Sequence, residues 1–501
     1  MSSGQVEKQG HWEGRLRKLL EPIPVVDLLI MSWAIEAFRN EQIPAISKFG
    51  AFPGTSETAS IGGRFFIPPW TVDALINERL SYGRESNTRN KRINTKNWAG
   101  IRKLVNTYSG LSNAESTLDF PEGGILEAMP RLFWPQYDWQ IGIHNTFRIG
   151  RAWHVYANPE GKRAFERKHG LCLDTFLKIS FVLYVTTKEF PSARMSVFYQ
   201  LGFTRNELHQ FTKIMGASID GHSKFAVEIR SDSIPRDFRR STVKERPVFL
   251  VEEASGNTLY VPSRESLLIR MTDGLYYDLV SDSDAQRRSG EQFEELCALI
   301  LNQLCGDEVD LKEEQKTSYG KSCDLFLIHK EDQCEILVEC KARRLPQKVL
   351  TSPNPWVDCE DFFSDIIKGI VQIWRTVDDF EPTEISNRVG LVLSYESWTI
   401  LGNSFVGEIF RRAHDLADKH SIKTEHRIPV FPIGYADMER CFSRYDFRCI
   451  FRAVEKSIDE KFHGYELSGV LDSFASKATK DGKVDYMTLI AKAVPWWGEL
   501  G

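Results

Sequence analysis

The stretch SCDLFLIHKEDQCEILVECKARR, residues 322–344, decides how the rest of the chain is read. Apolar, β-branched and aromatic residues fill 323–329 and 335–341, and a polar turn at 331–333 separates them, which is the pattern of a β-hairpin. Folding about that turn pairs residues whose numbers sum to roughly 664, so Asp324 comes opposite Glu339, Cys340 or Lys341. Asp324, Glu339 and Lys341 then meet at one end of a sheet. Glu339 and Lys341 share a face because strand side chains repeat every second residue, and the Cys340 carbonyl lies beside that corner.

Two carboxylates and a lysine at a sheet end suit hydrolysis of a phosphodiester. The carboxylates of Asp324 and Glu339 can hold Mg²⁺, a hard cation that prefers oxygen. Such an ion neutralises charge on the phosphate and acidifies a bound water. Lys341 would orient or help deprotonate that water and stabilise the charged transition state. The plain alternative is an ion-paired strand end beside solvent, since the pattern is short.

Flanking segments extend the pattern. Upstream, GEQFEELCALILNQL at 290–304 reads as a helix with Glu294 near its start. Downstream, DFFSDIIKGIVQIWRTV at 361–377 is an amphipathic helix carrying Gln372, and RVGLVLSY at 388–395 is a further strand. Together these segments resemble the PD-(D/E)XK, or restriction-endonuclease-like, nuclease superfamily over residues 288–400 or so; the residue before Asp324 is Cys323 where many relatives have proline. The resemblance implies an αβββαβ core with Mg²⁺ as cofactor and Mn²⁺ as a substitute. It implies Asp324, Glu339, Lys341, Glu294 and Gln372 as catalytic residues, with Asp324, Glu339 and the Cys340 carbonyl on the metal. Gln372 would position water or phosphate. Arg343, Arg344 and Lys348 follow the second strand, and Lys321 precedes the first, so these four cations are candidates for nucleic-acid phosphates, with a solvated turn as the alternative.

At 501 residues the chain has room for two or three domains. Its formal net charge of −5 gives no global attraction to nucleic acid, so a nuclease of this balance must concentrate positive charge locally. Nine cysteines without CxxC pairs argue against zinc and suit a reducing cytoplasm. The first twenty or so residues lack the apolar core of a signal peptide, and no apolar run reaches membrane-spanning length.

The expected fold is α/β, with an all-helical N-terminal domain at 1–230 for sensing or oligomerisation. A linker, hairpin and helix follow at 231–285, then the αβββαβ nuclease domain at 286–436 and a C-terminal helical extension at 437–501. In the first domain, VVDLLIMSWAIEAF and CLDTFLKISFVLYVT carry apolar helical stripes, Pro68 and Pro69 open a helix, and Thr204 to Glu207 form a capping box. The loop YGRESNTRNKRINTKNW holds Arg89 and Arg92 among five cations against Glu85, and reads either as an arm that touches phosphates or as a solvated loop. SDSIPRDFRRSTVKER at 231–246 is polar and nonperiodic, as a linker would be.

The leading expectation is a Mg²⁺-dependent endonuclease acting on DNA in the cytoplasm. By analogy with stand-alone nucleases of the superfamily it would serve antiviral (anti-phage) defence, with a homo-oligomer or an activating partner as its trigger. No Walker A pattern and no G-x-G-x-x-G follows a strand, so no nucleotide cofactor is expected, and no membrane. The alternatives are a catalytically inactive nucleic-acid-binding scaffold and an RNase-type toxin, since RNA presents the same phosphodiester.

Overall fold

The computed structural model describes residues 3–40, 49–53, 55–59, 62–83, 92–115, 147–231, 236, 239–254, 256–317, 320–344, 355–380, 387–395, 403–462, 465–475 and 480–500. The chain is mixed α/β and forms two compact units, the first closing at Ala285 and the second running from Gln286 to Gly501. No single described helix is long and apolar enough to cross a membrane.

Helices dominate the first unit because its apolar residues recur at helical spacing. α1 (Ser3–Leu20), α2 (Val25–Arg39), α3 (Pro69–Ser81) and α4 (Trp98–Glu115) bury Leu16, Leu28, Leu75, Ile76 and Leu104 in one core. Pro69 stands at the start of α3, where a missing N–H costs nothing. α5 (Leu173–Thr186) is the expected buried helix. α6 (Arg205–Met215) opens on the expected capping box: the Thr204 hydroxyl accepts the Glu207 N–H at 3.2 Å, and the Glu207 carboxylate accepts the Thr204 N–H at 2.7 Å.

An all-helical N-terminal domain is nevertheless a wrong expectation. This unit contains a four-stranded sheet in the order β1-β4-β3-β2, made of β1 (Ser192–Arg194), β2 (Gly216–Ser218), β3 (Val248–Glu253) and β4 (Gly256–Tyr260). β1 and β2 are three residues each, too short to carry a period, and they form by pairing with β4 and β3. Gly216 allows the approach of β2 to β3, since a Cβ there would stand 1.8 Å from the Val248 carbonyl oxygen.

The linker expected at 231–246 is corrected in the same way. Arg236 is buried, with ion pairs to Glu78 at 2.9 Å and Glu13 at 3.2 Å, and Ser241 caps the short helix Thr242–Glu245. A polar, nonperiodic segment here supplies the counter-charge for buried acids, so the boundary between units falls at Ala285 and not near residue 230. The helix expected after the hairpin is broken into Arg264–Met271 and Gly274–Leu279.

In the second unit five strands form a sheet in the order β9-β8-β7-β6-β5: β5 (Val309–Glu313), β6 (Leu325–His329), β7 (Cys334–Lys341), β8 (Asn387–Ser394) and β9 (Val430–Gly434). β5, β6 and β7 are antiparallel in succession, while β7, β8 and β9 are parallel. α7 (Ser283–Cys305) leads into the sheet, and the parallel pairs are connected through α8 (Glu360–Asp379) and α9 (Asn403–Lys419). One stripe of α8, including Phe363, Ile366, Ile370, Ile373 and Val377, packs with Phe326, Leu337 and Val392 of the strands. Helices Tyr435–Arg444, Phe447–Lys456, Leu467–Asp472 and Tyr486–Ala493 make 437–501 helical as expected, and they belong to this same unit.

Candidate active site

The hairpin forms in a register within the expected range. Leu325 pairs with Val338 and His329 with Cys334, and the same register carried one step further sets Asp324 opposite Glu339. Asp324 itself lies just before β6. Its Oδ2 accepts the Cys340 N–H at 2.6 Å, so the backbone of β7 holds this carboxylate.

Glu339 and Lys341 leave β7 on one face, and Lys341 Nζ donates to Glu339 Oε1. Glu339 is only 2% exposed, and its Oε2 is buried without a hydrogen-bond partner among the described residues. The Cys340 thiol, by strand alternation on the opposite face, is pushed well up by its hydrogen bond with Cys297 of α7 and by burial; the backbone of Cys340 is what meets the acids.

The charges act strongly on one another. Burial first, and then the charge of Asp324, push the Glu339 carboxyl up to about 8 against the opposing pull of Lys341. Glu294 of α7 is pushed up to about 7 by the same two causes in the same order, which brings it into the cluster. Asp324 is raised by burial, offset by the Cys340 N–H and by Lys341. Burial works against the Lys341 ammonium, and Glu339 followed by Asp324 outweigh it, so this lysine stays charged. Three acids therefore gather about Lys341 in a largely buried corner, and the exposed Lys321 also pulls on Glu294 and Asp324.

Among the described residues no three His, Cys, Asp or Glu side chains already stand as a metal-ligating group. The donor chemistry still fits a small hard cation. The acids present oxygen only, they repel one another, and one buried oxygen of Glu339 has no partner.

α8 packs over the corner through Gly369, where a Cβ would come within 3.3 Å of Lys341 Cε and 3.4 Å of Glu339 Cγ. Gln372, expected to hold water or phosphate, is instead engaged with backbone: its Nε2 donates to the Ser322 carbonyl at 2.9 Å. One turn further, the Thr376 hydroxyl oxygen accepts the Cys323 N–H at 2.8 Å. Thr376 and Gly369 were missed in the linear reading. Thr376 could have been found as the fourth residue after Gln372, on the same helix face. Nothing local marks Gly369.

Of the candidates for phosphate contact, Lys321, raised first by Glu314, stands near enough to the corner for Glu294 and Asp324 to raise it further, and the other described ones are engaged elsewhere. Arg343 is partly exposed and its Nε donates to Asp365 of α8. Arg344 is buried, its guanidinium 5.5 Å from the centre of the Tyr395 ring, which is a packing contact. Lys321 is well exposed and pairs with Glu314 at 2.8 Å. Arg92, in the first unit, is ion-paired to Asp27 of α2. Arg89 and Lys348 lie outside the described residues.

No family model matches the chain, no curated protein matches it in sequence, and no solved structure matches it in fold.

Proposed function

We propose that the second unit is a metal-dependent nuclease of the restriction-endonuclease-like, PD-(D/E)XK type, hydrolysing DNA phosphodiesters. The carrying observation is the corner itself: Asp324, Glu339, Glu294 and Lys341 converge from three separate elements, with one buried Glu339 oxygen left unpaired among the described residues. The order of elements supports it, since α7, the antiparallel β5-β6-β7, α8 and the parallel β8 follow the αβββαβ sequence of that superfamily.

In this reading Asp324, Glu339 and the Cys340 carbonyl hold Mg²⁺, or Mn²⁺ in its place. When bound, such an ion supplies charge neutralisation at the phosphate and a water of lowered pKa. Lys341 presents its ammonium to a phosphate oxygen or to the attacking water while Glu339 keeps it oriented. Glu294, with its carboxyl pushed up to about 7, can take or return a proton near neutral pH. The water oxygen bonds to phosphorus, the bond from phosphorus to the departing sugar oxygen breaks, and the proton lost by the water is balanced by the proton that oxygen gains. A role in antiviral defence, with the first unit sensing a signal or assembling copies, is carried by analogy with stand-alone nucleases of that superfamily.

The test incubates plasmid DNA and RNA with Mg²⁺ and the full chain, beside Asp324→Ala and Lys341→Ala. Wild type is expected to cut DNA, and each variant to lose activity by on the order of a thousandfold. Cleavage of RNA alone would move the substrate to RNA. Cleavage of neither, with nucleic acid still retarded in a gel, would replace the enzyme by an inactive binding scaffold. An enzyme that awaits a trigger would show the same variant dependence in a phage-challenge assay in cells.

A further inference from the structure

Asp324 enters the corner from a dipeptide that belongs to no ladder of the five-stranded sheet, yet every backbone polar group of Ser322 and Cys323 is engaged. The Ser322 N–H donates to the Gln315 carbonyl at 2.9 Å and the Ser322 carbonyl accepts from Gln372 Nε2 at 2.9 Å. The Cys323 N–H donates to Thr376 Oγ1 at 2.8 Å, and the Cys323 carbonyl accepts the Ser322 hydroxyl at 2.8 Å. Thr376 is itself 2% exposed, and its hydroxyl donates to the Gln372 carbonyl at 2.9 Å. A hydroxyl that donates into its own helix keeps its lone pairs turned to an incoming N–H.

We propose that Thr376 is a positioning residue for Asp324, with Gln372 as its neighbour in the same task. This deepens the nuclease reading and rests on it. A carboxylate that is to share an ion with another must be held within about half an ångström, which needs support behind the ligand as well as the ligand. For Glu339 that support is the ladder of β7 with β8, in which Glu339 pairs with Val392. Asp324 stands before its strand begins, so support comes from the side: Cys340 holds its carboxylate and α8 holds the two residues ahead of it. The same helix touches the other half of the site two turns earlier, where Gly369 lies against Glu339 and Lys341. α8 thereby spaces Asp324 from Glu339. Loss of the Thr376 hydroxyl would strand the Cys323 N–H in the interior, and the chain would shift at Asp324 to satisfy it.

The test measures Mn²⁺ binding to the full chain by electron paramagnetic resonance, beside DNA cleavage kinetics. Thr376→Val is expected to weaken Mn²⁺ binding by about tenfold or more and to lower kcat with KM for DNA unchanged, while Thr376→Ser restores both. Val377→Ala, the neighbouring core position on α8, is expected to lower the melting temperature while leaving Mn²⁺ affinity within about twofold, which separates positioning from a general loss of stability. Gln372→Leu keeps the threonine, removes the Ser322 contact and carries the test should Thr376→Val fail to fold. Mn²⁺ binding by Thr376→Val or Gln372→Leu equal to wild type would overturn the positioning role and leave the nuclease reading standing. Wild type binding no more Mn²⁺ than Asp324→Ala would overturn both.

Discussion

Both units bury charge, and they treat it differently. In the first, Arg236 lies among the acids Glu78 and Glu13, and Glu36 is taken up by the Ser263 hydroxyl at 2.7 Å and the Arg264 N–H at 2.9 Å while Arg39 holds Glu265 at 2.9 Å. Acids crowd a cation here too, with Glu13, Glu78 and Glu115 all on Arg236, and Glu36 is pushed up to about 7 by burial and by Glu265; what sets this unit apart is that its ion pairs tie distant segments together. In the second unit three acids gather about Lys341, with Lys321 also acting on Glu294 and Asp324, and a Glu339 oxygen faces no donor among the described residues. Taking an ion out of water is costly unless its partners are present, and in the second unit the proposed metal would supply the partner.

The largest test of that contrast is on the first unit. Arg236→Ala leaves Glu78, 6% exposed in its side chain, without its buried partner and should cost about 3–5 kcal/mol in urea unfolding. If the network is architectural, cleavage per folded molecule should stay at the wild-type value. A loss of activity without a loss of stability would erase the distinction between the units.

A somewhat smaller effect is expected with pH. His222 is fully buried, stacked on Phe249 with ring centres 3.7 Å apart, its Nε2 at 3.0 Å from the Val248 carbonyl oxygen. Burial pushes it down to about 4 from 6.5, although the Val248 carbonyl favours the charged form. The folded state therefore binds its proton less readily than the unfolded chain. Stability is full above about pH 6.5 and is lost as pH falls towards 4, by about 3 kcal/mol in total. Urea midpoints at pH 7 and pH 4 measure this, and His222→Leu should flatten that part of the profile.

The smallest effect concerns the corner. Gly369→Ala would press a methyl group to 3.2 Å of Val392 Cγ1 as well as against Lys341 and Glu339. Crowding of this kind costs about 1–3 kcal/mol, while alanine returns up to about 1 kcal/mol of helix propensity. We expect a melting temperature within a few degrees of wild type and a cleavage rate about tenfold lower. A large fall in melting temperature with the rate unchanged would show that Gly369 serves packing alone.

The hairpin and its acids were legible in the linear chain because two strong signals coincide there: alternating apolar runs, and charged residues at run ends where burial alone would not place them. The stripe of α8 was legible for the same kind of reason, since Phe363, Ile366, Ile370, Ile373 and Val377 recur at helical spacing. Patterns of this sort are local, so they survive without knowledge of neighbours. β1 and β2, the binding of 231–246 into the first unit, the burial of Arg344, and the service of Gln372 and Thr376 to Ser322 and Cys323 were not legible. Each depends on a partner dozens or hundreds of positions away. A polar residue looks the same in sequence whether it faces water or a buried backbone group, and only the folded neighbours decide which.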